Sequence, residues 1–86
     1  MPNYERLLRR VLSGQSDNNI RFSSLCGLLV RMGFNERIVG SHHVFTRLGF
    51  RERINIQPVG SKAKGYQVGQ IREIFEDYPV WEWLDA

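Results

Sequence analysis

The sequence predicts an α+β fold in which helices cover one face of a three-stranded antiparallel sheet and leave the other face open. Three observations predict it. Apolar stripes of helical period occupy both ends of the chain, β-prone runs fill the middle, and turn residues separate those runs. The order reads α, α, β, β, β, α within a single domain of 86 residues.

Asn3 is placed to cap a first helix, in which Tyr4, Leu7, Leu8, Val11 and Leu12 share one face and Gly14 is the stop. A polar loop, 15–19, follows, and Ile20-Arg21-Phe22 suggests a short extended piece. Ser23 or Ser24 can cap a second helix with Leu25, Leu28, Leu29 and Met32 on one face. Gly33 ends it as a left-handed residue, and Phe34 can fold back on it. Residues 37–39 and 42–47 then read as strands, a turn is expected at Leu48-Gly49, and residues 51–57 read as a third strand. Alternation there puts Glu52, Ile54 and Ile56 on one side and Arg51, Arg53, Asn55 and Gln57 on the other. Pro58 to Ser61 ends that strand. Val68, Ile71, Ile74, Phe75 and Tyr78 stripe a third helix, which Pro79 stops. Gly69 inside it suggests close packing, and the apolar, acidic tail after Pro79 is expected to dock on the domain.

Charge is unevenly distributed. Residues 1–72 carry 12 Lys and Arg against four acids, and residues 73–86 carry five acids and no base. A basic body points to a polyanionic partner or to a solvated basic surface. No apolar run is long enough for a membrane span, and the polar start of the chain has no signal-peptide character. With one cysteine, Cys26, no internal disulfide can form, so a cytoplasmic location is expected.

Chemistry centres on Gly40-Ser41-His42-His43, which holds both histidines of the chain. Successive strand residues face opposite ways, so His42 and His43 cannot easily share a metal, and no metal or cofactor is expected. Cys26, with no histidine near it in sequence, is expected to be a buried, inert thiol. One reaction needs only what is present. RNA cleavage can use the substrate's own 2′-hydroxyl, with one histidine as general acid or base and cations around the phosphorane. The candidate cations are Arg47, Arg51, Arg53, Lys62 and Lys64. Strand parity puts His43, Phe45 and Arg47 on one side and His42, Val44 and Thr46 on the other. Phe45 buries more area than Val44, so His43 is expected toward the helices and His42 toward the open face.

The chain also resembles a family. Gly33-Phe34 followed by Gly40-Ser41-His42-His43-Val44-Phe45 is similar to the signature of HicA-type toxins, small ribonucleases of bacterial toxin–antitoxin pairs. Ile20 to Cys26, Ile54 to Pro58 and Lys62 to Val68 extend the resemblance over about residues 18–78. The resemblance implies a double-stranded-RNA-binding-domain-like α-β-β-β-α core, with 1–15 as an added helix and 79–86 as a tail. It implies metal-independent cleavage of mRNA, with His42 the preferred catalytic residue and His43 the other candidate, and an antitoxin partner of the HicB type. Many relatives carry Pro-x-His after the last strand and Gly-Thr-Leu at the last helix; this chain has Pro58-Val59-Gly60 and Gly65-Tyr66-Gln67. A non-catalytic RNA-binding or antitoxin-binding module on the same fold is the alternative expectation.

Overall fold

The computed structural model describes residues 3–85. Its first helix, α1 (Tyr4–Ser13), begins where the Asn3 side chain accepts the Arg6 backbone N–H at 3.1 Å, and ends at Gly14 with φ of 75°. The second, α2 (Phe22–Arg31), starts earlier than its serines suggest. Phe22 is already helical, Arg21 stands at the cap, and neither Ser23 nor Ser24 caps the helix. The start is fixed by backbone pairing instead. Phe22 N–H donates to the Ser61 carbonyl at 2.9 Å, and Ala63 N–H to that of Ile20 at 2.9 Å. The end of α2 follows the sequence closely. Gly33 has φ of 96°, its N–H meets the Val30 carbonyl, and Phe34 N–H meets that of Leu29, while the Phe34 ring is buried.

Three strands form an antiparallel sheet in sequence order, β1 (Asn35–Val39), β2 (His42–Thr46) and β3 (Ile54–Ile56). Gly40-Ser41 is the two-residue turn between β1 and β2, with Gly40 at φ of 61° and Val39 paired to His42. The strand expected over 51–57 is reduced to its centre. The turn at Leu48-Gly49 does form, with Phe50 N–H on the Arg47 carbonyl at 3.0 Å, but Phe50 then buries into an aromatic corner. There it packs on Phe34, Tyr78 and Trp83, and Tyr78 Oη accepts the Arg51 N–H at 3.3 Å. Residues 47–53 are therefore a loop, and Glu52 points outward, accepting the Tyr78 hydroxyl at 2.7 Å.

Beyond β3 the chain makes a second hairpin, β4 (Pro58–Val59) and β5 (Lys62–Ala63), turned at Gly60-Ser61, where the sequence suggested only a strand end. The third helix, α3 (Gly65–Phe75), stops before Tyr78, and the tail forms α4 (Val80–Asp85). This tail docks as expected: Val80 and Leu84 are buried, and Trp83 joins the aromatic corner. Close approach occurs at other glycines than Gly69. A Cβ on Gly65 would collide with the Asn18 side chain, and one on Gly27 would come within 2.6 Å of Tyr4 Oη.

One core joins these layers. Leu8, Leu25, Leu29, Met32, Val68 and Ile71 from the helices meet Phe45, Ile54 and Ile56 from the sheet. Arg72 locks the added first helix in place, bonding both Asp17 oxygens (2.8 and 3.0 Å) and the Val11 carbonyl (3.0 Å). Among the described residues, no helix is long and apolar enough to cross a membrane.

Candidate functional site

His42 opens β2 directly after the Gly40-Ser41 turn, and the pairing register places it on the sheet face opposite Phe45. Asn55 of β3 lies across from Val44 on that same face, and Gln57 follows two residues later. These three side chains form a network. His42 Nδ1 is 3.1 Å from Asn55 Oδ1, and Gln57 Nε2 is 2.7 Å from His42 Nε2 and 3.0 Å from Nδ1. An amide oxygen only accepts, so Nδ1 carries the proton toward Asn55 and Nε2 is the unprotonated, basic nitrogen, while the Gln57 amide, close to both ring nitrogens, lies over the face of the imidazole. Lys64 Nζ donates to Gln57 Oε1 at 2.9 Å, which brings a cation to the far side of the Gln57 amide.

Gln57 is itself held. Its backbone N–H donates to Oε1 of Gln67 at 3.0 Å, and Gln67 is buried on α3. The network therefore hangs from the sheet and from the first turn of α3. His42, Asn55 and Lys64 keep access to solvent. The arrangement supplies an oriented imidazole with one unprotonated nitrogen and an adjacent ammonium, which suits proton transfer beside a phosphate.

His43 has the opposite setting. It faces the helices, half-buried, with its ring edge-on to Phe22 at 4.8 Å between centroids. Its Nδ1 lies 2.7 Å from Glu36 Oε2 on β1 and 3.9 Å from Cys26 Sγ on α2. Cys26, Glu36 and His43 are thus brought together although they are far apart in sequence, and their donor types are those of metal ligands. They do not form a nucleophile–base–acid relay, because thiol and carboxylate address the same ring nitrogen rather than opposite ones. Burial, with the Glu36 carboxylate adding to it, pushes the Cys26 thiol up to about 12. The thiol stays protonated at neutral pH, in accord with an inert cysteine. A metal ion would have to displace that proton and break the 2.7 Å His43–Glu36 hydrogen bond.

The candidate cations separate into groups. Lys64 belongs to the His42 network. Arg53 is exposed and lines a small cleft with Asn55, Gln67 and Gln70 at the β3 edge. Arg51 and Arg53 lie in the 47–53 loop, so they do not share a strand face as the alternation suggests. Arg47, beyond the far end of β2, is engaged in the fold. Its Nε donates to the Met32 carbonyl at 2.9 Å, its Nη1 to that of Leu48 at 3.2 Å, and its guanidinium covers the Trp83 ring at 4.1 Å. Lys62 is exposed on β5 and faces a different recess, with Arg6, Arg10 and Arg21.

Asn55 and Gln57 are the site residues that sequence reasoning passed over as chemistry. The signal was their shared parity on the polar side of the third strand. Family models, curated proteins and solved structures were all compared with the chain, and none matches it.

Proposed function

We propose that this protein is a metal-independent endoribonuclease acting on mRNA, the toxin of a toxin–antitoxin pair of the HicA type. The observation that supports it is the His42–Asn55–Gln57–Lys64 network on an exposed sheet face. His42 Nε2 takes the proton of a ribose 2′-hydroxyl as O2′ bonds to the adjacent phosphorus. The P–O5′ bond then breaks, and O5′ leaves with the proton that the imidazolium returns. The products are a 2′,3′-cyclic phosphate and a 5′-hydroxyl, with no external co-reactant. Lys64, and Arg53 at the β3 edge, stabilise the charge gathered on the phosphorane oxygens. Asn55 is a positioning residue, because it fixes the tautomer and never meets the substrate's reacting atoms.

Work on mRNA places the protein in the cytoplasm, and such an activity has to be silenced. A HicB-type antitoxin seated on the open face over His42 would do so by occlusion. A complex that left His42 accessible and RNA still bound would contradict that arrangement.

The test is incubation of purified protein with single-stranded RNA and excess EDTA. The expected result is cleavage that survives EDTA, with cyclic-phosphate ends, and none on a fully 2′-O-methylated strand, which lacks the attacking hydroxyl. Binding without cleavage at every pH from about 5 to 8 would overturn the enzyme reading and leave a non-catalytic binding module.

A further inference from the structure

The first helix adds something to the molecule besides core. Between α1, the 17–19 turn and the β4–β5 hairpin lies a recess of about 500 Å³. Arg6, Arg10, Arg21 and Lys62 all border it, and among the described residues no carboxylate does. Ser24 and Ser61 contribute hydroxyl groups. Among the described residues none of these four cations has an ion-pair partner. Only Arg10 is tied down, its Nη2 donating to the Asn19 carbonyl at 2.9 Å. Like charges gathered in a concave site repel one another and focus a positive field, and a bound polyanion relieves both.

Backbone pairing frames this recess. Arg21 and Lys62 face each other across an antiparallel bridge, closed by the Phe22–Ser61 and Ala63–Ile20 backbone bonds. Lys62 also connects the recess to His42. Ala63 is buried and the backbone at Lys64 is extended (φ −70°, ψ 128°), so Lys62 and Lys64 project to the same side, roughly 7 Å apart. Lys64 reaches the His42 network and Lys62 reaches the recess.

We infer that the recess holds the phosphodiester backbone of the RNA strand flanking the cleaved step, with Arg6, Arg21 and Lys62 as its phosphate contacts. The inference rests on the ribonuclease reading and extends it to residues outside the His42 face. It assigns the first helix a role in substrate binding: Arg6 and Arg10 exist in the recess only because α1 is present.

The test uses the full chain and two 2′-O-methyl single strands, one of about 16 nucleotides and one of about 4. The double variant Arg6→Ala/Arg21→Ala removes two exposed cations and leaves the His42 network intact. A matched variant, Arg9→Ala/Arg31→Ala, removes the same charge from exposed positions outside the recess. The recess variant should melt like the parent and bind the long strand about tenfold more weakly, with a salt slope shallower by about 1.4 for two lost phosphate contacts. Binding of the short strand should not change. Unchanged affinity and slope for the long strand, with the parent binding it, would overturn the inference and leave the ribonuclease reading standing. An equal loss in the matched variant would overturn it too, by reducing the effect to net charge. A parent that binds neither strand would fail the ribonuclease reading itself, and the recess assignment with it.

Discussion

His42 and His43 are neighbours in sequence, yet they sit in two different chemical settings. His42 stands on an exposed face among neutral amides and an ammonium. His43 stands against a phenylalanine ring, a carboxylate and a protonated thiol. The strand pleat alone sends them apart, and Phe45 decides which goes where, because its burial fixes the parity of the whole strand. Under the proposed function, what separates the catalytic histidine from the structural one is the identity of the groups around it. The open-face ring keeps an accessible basic nitrogen, and the covered ring has its Nδ1 occupied by Glu36.

The sharpest way to break this comparison is to remove the residue that sets the parity. Phe45→Ala should cost about 3–5 kcal/mol of stability, measured by denaturant unfolding, whereas Val44→Ala on the other face should cost under about 1.5 kcal/mol. Equal losses would mean that Phe45 does not orient β2.

Next in size is Asn55. Asn55→Ala should lower the cleavage rate about tenfold, equivalent to about 1.4 kcal/mol, without a change in melting temperature. Asn55→Asp restores the acceptor and should recover the rate, while its carboxylate favours the imidazolium and moves the acid limb of the pH–rate profile to higher pH. A rate insensitive to both would remove Asn55 from the site.

On the covered side, His43→Ala should lower stability by about 1 kcal/mol, since the Glu36 pair is partly exposed and the Phe22 edge contact is lost. Cleavage per folded molecule should stay near the parent's.

A separate effect is alkaline. Burial pushes the Cys26 thiol from its ordinary 9.0 up to about 12 in the fold. Between those values the folded state holds the extra proton, so stability falls as pH rises above 9.0. A melting series across that range should fall less steeply in Cys26→Ala. Parallel curves would show that the thiol ionises freely in the folded protein.

Much of this arrangement was legible in the sequence because it depends on local periodicity. The α1 stripe with its Asn3 cap, the Gly33-Phe34 helix end and the opposite facing of the two histidines each follow from spacing alone. What was not legible depends on tertiary packing. The loop at 51–53 continues a β-prone pattern, yet Phe50 gains more by burial beside Phe34 and Trp83 than the strand gains by pairing. Arg47 has the sequence character of a polyanion contact and is instead used on Trp83. The approach of Cys26 and Glu36 to His43 needs α2 laid against β1 and β2, which no short-range pattern encodes.

The account rests most heavily on His42. The measurement that reaches it most directly is single-turnover cleavage of one RNA in EDTA by His42→Ala and His43→Ala, each normalised to its folded fraction. The account predicts that His42→Ala loses at least about 10²-fold in rate while it melts like the parent and still binds RNA, and that His43→Ala cleaves near the parental rate. Parental cleavage by His42→Ala would contradict it, whichever way His43→Ala behaves.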